Sequence, residues 1–107
     1  GDLFFVDYFA HELGHQLHGA HTFRDCAGAP ALSEEAVEPG SGSTIMGYAG
    51  VCGADNLQSS SDPYFNSINI QAMREFVAER AEQSGCGTTH DTGRARIQIA
   101  GGPSECP

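Results

Sequence analysis

The chain has 107 residues, enough for one small domain. Fourteen acidic residues against five basic ones, all Arg, give a formal net charge of −9; such a surface repels nucleic acid and anionic lipid, so neither is an expected partner. No apolar run approaches the ~20 residues of a membrane span, and no signal peptide is visible, because the sequence starts inside mature-looking chain.

Residues from about Val6 to Leu17 are expected to form a helix. Phe9, Leu13 and Leu17 recur at spacings of four and, with Tyr8, mark its buried side. Asp2 or Asp7 is placed to cap or complement its start. The helix leads into HELGHQLHGAH over residues 11 to 21. His11 and His15 lie four residues apart, so both imidazoles leave one face and can share a zinc ion. Glu12 stands next to His11, near enough to hold a water against that metal. A site of three protein ligands and one open position needs a third nitrogen. His21 supplies it if the helix stops and the chain turns back. His18 offers a rival set, but at about 1.5 Å per residue it lies on the order of 10 Å along the axis from His11. One ion would have to be reached from both ends of that span, so His18 is read as a surface or rim side chain.

From Cys26 to Ser43 the chain reads mostly as loop, because Gly28, Pro30, Pro39, Gly40 and Gly42 interrupt any regular element. Ser43-Thr44-Ile45-Met46-Gly47-Tyr48 is the second distinctive run. Residues 53 to 66 are again irregular. Their stretch from Asp55 to Asp62 leaves calcium open as a ligand, although it lacks the spacing of an EF-hand loop. A second helix is expected from about Ile70 to Ser84, with Asn69 as N-cap and Gly85 as its stop. Met73, Phe76, Val77 and Ala81 form its apolar stripe, read as core packing. Residues 87 to 107 read as a linker or tail, with a short strand-like alternation at Ile97 and Ile99.

The spacing of His11, Glu12, His15 and His21 resembles the metzincin signature HExxHxxGxxH, and the run through Met46 resembles its Met-turn. The signature's Gly is replaced by His18, with Gly19 one residue later. The helix ends there in a left-handed conformation, which costs a non-Gly residue about 1 kcal/mol or more. His is among the few such residues enriched in it, and Gly19 can also absorb the turn one residue late. The flanks GDLFFVDYFAHELGHQLHGAHTF, EPGSGSTIMGYAGVCGADNLQ and SDPYF narrow the likeness to the reprolysin (adamalysin)-like metallopeptidases of secreted bacterial proteins. The resemblance covers roughly residues 1 to 86, leaving 87 to 107 as linker.

That resemblance implies an α+β, zincin-like fold, of which this chain would be the active-site helix and the lower subdomain. Only ten residues precede His11, so the upper sheet, whose edge strand pairs with extended substrate, is expected to be absent. It implies a secreted, zinc-dependent endopeptidase acting on polypeptides. His11, His15 and His21 would bind Zn2+, Glu12 would be the general base, and Met46 would pack beneath the ligands. Tyr48 is either a transition-state group or a packing residue of the lower subdomain. A gluzincin-like ligand set, with Glu34 or Glu35 as third ligand, requires a second helix that Pro30, Pro39 and Gly40 leave no room for; a solvated loop is expected there. Cys26, Cys52, Cys86 and Cys106 include no CxxC pair, so no second, structural zinc site is expected. In an extracellular chain they form disulfides with three connectivities, of which Cys26–Cys52 is favoured. A truncated or non-catalytic extracellular metal-binding module is the alternative reading, and Glu12 argues against it. A surface interaction domain with a chance HExxH is the third.

Overall fold

The computed structural model describes residues 2–85, 88–91 and 97–100. The chain divides into two units, residues 1–74 and 75–107.

In the first unit, helix α1 spans Asp2–Gln16. It begins four residues before the expected start, so Asp7 lies inside the helix and is not a cap. Its end is a Schellman closure. Gly19 N–H donates to the Gly14 carbonyl at 2.8 Å, and His18 N–H donates to that of His15 at 3.1 Å. His18 takes the left-handed position, with φ +67°, so the turn is not deferred to Gly19. Gly19 serves a different need: a Cβ there would stand 3.1 Å from the Gly14 carbonyl oxygen.

The buried side of α1 differs from the expected one. Tyr8, Phe9 and Leu13 are exposed, Phe9 by 64%, while His11 and Gly14 are buried. The stripe marked only where apolar residues recur. What covers the helix is the turn at Met46, which packs against Gly14: a Cβ on Gly14 would come within 2.5 Å of the Met46 sulfur and 3.0 Å of the Phe65 ring.

After α1 the chain is largely irregular, and most of the buried residues lie there. Thr22, Phe23, Glu38, Ser41, Thr44, Ile45, Met46 and Cys52 are all buried. Phe23 and Glu38 form an isolated parallel bridge. Within the stretch expected to be loop, strands β1 (Asp25–Cys26) and β2 (Ala29–Pro30) pair antiparallel. Ala27 and Gly28 join them with φ of +52° and +79°, the two positive values that a tight hairpin turn of this hand requires. The Cys26–Cys52 disulfide is present, and Gly28 N–H donates to the Asp55 carboxylate at 2.9 Å. A single 3-10 turn covers Gly53–Asp55.

Helix α2 spans Ser67–Ser84, starting three residues before the expected position. Its N-cap is Asn66, whose side-chain oxygen accepts the Ile68 N–H at 3.2 Å. Asn69 is not a cap: it lies within the first turn, fully buried. The helix stops at Gly85, with φ +62°, as expected. Met73, Phe76, Val77 and Ala81 are half-buried rather than core.

In the second unit, strands β3 (Thr88–Asp91) and β4 (Ile97–Ala100) pair antiparallel, with Thr89 opposite Ile99. A paired hairpin therefore lies within the stretch expected to be linker. Cys86, Cys106 and Arg94 lie outside the described residues. Among the described residues, no helix is long and apolar enough to cross a membrane.

Candidate metal centre

Two local devices deliver the three imidazoles. His11 and His15 leave the same face of α1 by their four-residue spacing. His21 arrives from outside the helix, because the closure at His18 and Gly19 reverses the chain. The Nε2 of His21 lies 3.2 Å from Nε2 of His11 and 3.1 Å from Nε2 of His15.

The opposite nitrogens are spoken for. His11 Nδ1 lies 2.7 Å from the Ile45 carbonyl oxygen, and His15 Nδ1 lies 2.9 Å from that of Gly19. A carbonyl only accepts, so both Nδ1 atoms carry the proton and both Nε2 atoms present lone pairs. Three nitrogens then converge on one point, and a single proton on His21 can bridge at most one pair. The donor set calls for a cation. Four-coordinate zinc–imidazole bonds of about 2.0–2.1 Å place ligand nitrogens about 3.3 Å apart, close to the two spacings from His21, and all three ligand atoms lie within 4.8 Å of one another. His11, His15 and His21 form the one cluster of metal-ligating side chains found among the described residues.

Electrostatics favour the ligating form. Burial lowers the His11 pKa, with the neighbouring His15 adding to it; the bond to Ile45 and the Glu12 charge oppose the shift. His21 is lowered to about 4, by burial first and then by His15 and His11. Both rings are therefore neutral near pH 7, as metal ligation requires.

Glu12 is exposed on α1, and its charge is felt at His11, His21 and Tyr48. Tyr48 is half-buried, its ring 4.6 Å from that of His21, 5.6 Å from His11 and 4.4 Å from Phe23. Burial raises its pKa, with Glu12 and Tyr8 adding to the shift, so the phenol keeps its proton and can donate it in a hydrogen bond. Met46 is fully buried, and its neighbour Ile45 supplies the carbonyl that orients His11. His18 is exposed and stands outside the imidazole cluster.

Two acidic residues of the expected loop are tied into the fold. Glu35 is not simply solvated. Its carboxylate accepts the Ala20 N–H at 3.2 Å and the Asn69 side-chain amide at 2.6 Å. Asn69 also donates to the Ala20 carbonyl at 2.9 Å. Glu38, the first residue of the flank EPGSGSTIMGY but given no role there, is buried and accepts from Thr22 Oγ1 and, at 2.6 Å, from Thr44 Oγ1. Burial alone would push its pKa up; the two hydroxyls and the N–H groups of Ser43 and Thr44 outweigh that and hold it below the ordinary carboxylate value. Asp55 accepts from the Gly28 N–H and Asp62 from the Tyr64 hydroxyl.

A family model described as Metallo-peptidase family M12B Reprolysin-like matches residues 1–76. The chain belongs to that family. No curated protein and no solved structure matches it. Membership makes this reprolysin-like chain one of a metal-dependent peptidase family, and its three-His group is able to bind a metal.

Proposed function

We propose that this chain carries the metal centre of a secreted, zinc-dependent endopeptidase of the metzincin fold. His11, His15 and His21 would hold Zn2+ through their Nε2 atoms. The observation that carries this reading is the convergence of those three nitrogens, two of them with the opposite ring nitrogen committed to a backbone carbonyl. Imidazole donors suit zinc, and family membership points the same way.

Bound there, the ion supplies Lewis acidity, which lowers the pKa of water and polarises a scissile carbonyl. Glu12, exposed beside His11, takes the proton from the attacking water and delivers it to the leaving amine. Tyr48, protonated and half-buried against His21, donates a hydrogen bond to the oxyanion of the tetrahedral intermediate. The substrate is a polypeptide. The Cys26–Cys52 bond supports an extracellular location, because disulfides persist in oxidising compartments.

The test is cleavage of an unstructured protein substrate by the zinc-loaded chain and by Glu12→Gln. Loss of turnover by about 10²–10⁴-fold with metal content unchanged is the expected result. Full turnover in that variant would remove Glu12 as the base. Metal bound without cleavage by the unaltered chain would favour a non-catalytic metal-binding module.

A further inference from the structure

We propose that Glu38 is the positioning residue for His21, acting through Thr22, which follows His21 in the chain. The proposal rests on the reading of His21 as a metal ligand.

His21 is the one ligand that no helix holds. Its neighbour Thr22 is fully buried, and three hydrogen bonds fix it. Thr22 N–H donates to the Met46 carbonyl at 3.2 Å, and the Thr22 carbonyl accepts the Glu38 N–H at 2.8 Å. The Thr22 hydroxyl donates to Glu38 Oε2. The same carboxylate reaches the segment that carries Met46. It accepts from the N–H groups of Ser43 and Thr44, each at 3.2 Å, and from the Thr44 hydroxyl at 2.6 Å. One side chain thus links the segment bearing the third imidazole to the turn whose Ile45 carbonyl orients the first.

The cradle is built for a carboxylate. Gly42 has φ +66°, and a Cβ on it would stand 3.0 Å from Glu38 Oε2 and 3.3 Å from its Cβ and Cδ. An ionised carboxylate only accepts, so both Thr hydroxyls must aim their protons at it, which removes their rotational freedom. Every one of these partners is a hydroxyl or an N–H group. Burying a charge among neutral donors costs desolvation, and an apolar side chain in its place would leave two hydroxyls and two N–H groups without their acceptor. The use of the carboxylate here is to fix a geometry.

The test uses the 107-residue chain. Zinc affinity is measured by chelator competition and ligand geometry by the visible spectrum of the Co2+ form, with circular dichroism as the control for folding. Glu38→Gln keeps size and removes the all-acceptor carboxylate. Thr22→Val removes only the hydroxyl, and Thr22→Ser keeps it. Glu38→Gln and Thr22→Val are each expected to weaken zinc binding by about 10–100-fold and to alter the Co2+ spectrum, with Thr22→Ser recovering most of the loss seen in Thr22→Val. If Glu38→Gln does not fold, the Thr22 pair decides. Zinc affinity and Co2+ spectra equal to the unaltered chain in folded variants would overturn the proposal, even with a lowered melting temperature. Failure of the unaltered chain to bind zinc would overturn the ligand reading and this inference together.

Discussion

Helix α1 and the irregular segment from Gly19 to Cys52 divide the work in an unexpected way. The helix is regular, yet Val6, Phe9 and Leu13 on it are exposed. The segment has almost no regular structure, yet Met46, Thr22, Ser41 and Cys52 within it are buried to completion or nearly so. The helix supplies direction, since its periodicity aims two imidazoles one way. The irregular segment supplies the core and the third imidazole, and it satisfies its buried polar groups through side-chain bonds to Glu38 and Glu35 where a helix would use its own backbone. A regular element can be the less buried part of a metal centre.

The largest expected effect tests that contrast directly. Met46→Ala should cost about 2–5 kcal/mol of unfolding free energy, whereas Phe9→Ser should stay within about 0.5 kcal/mol. Urea unfolding of the two variants measures both, and equal losses would erase the distinction. Reducing the Cys26–Cys52 bond, which joins residues 26 apart in sequence inside the irregular segment, should lower stability by about 2–4 kcal/mol. The same unfolding curve with and without reductant shows it.

A smaller effect should follow from pH. In the folded, metal-free chain burial holds His21 neutral down to about 4, while the unfolded imidazole takes up a proton near 6.5. The unfolded state therefore binds more protons across that window, and stability falls as pH drops from 6.5 toward 4. Glu38, with its pKa lowered from 4.5, continues the loss at more acid pH. Denaturant midpoints at pH 7 and pH 5 should differ in that direction, and His21→Ala should flatten the difference. The smallest expected effect concerns the helix end. His18 holds φ +67°, so His18→Gly should stabilise by no more than about 1 kcal/mol, read as a small rise in melting temperature.

Much of the centre was legible in the sequence, for reasons that differ by residue. The shared face of His11 and His15 follows from helical spacing, and the reversal to His21 follows from the resemblance and from a residue type tolerant of left-handed backbone at position 18. The Cys26–Cys52 pair was also expected. The misreadings have one physical source. Tyr8, Phe9 and Leu13 have helical periodicity, but periodicity does not say which face another segment covers, and Gly14 is where the Met46 turn lands. Asn69 has the chemistry of an N-cap, and Asn66 takes that place while Asn69 reaches back to Ala20. Glu35 and Glu38 sit in a Pro- and Gly-rich stretch with no period at all, and each has a partner far along the chain: Ala20 and Asn69 lie 15 and 34 residues from Glu35, and Thr22 lies 16 from Glu38. No local pattern encodes a contact of that separation.

The most direct measurement of the central claim is a zinc titration of the 107-residue chain beside His21→Ala and His18→Ala. One zinc per chain is expected, retained in His18→Ala and lost or weakened beyond the about 10–100-fold cost of a supporting group in His21→Ala. Zinc bound equally well without His21, or lost on replacing His18, would contradict it.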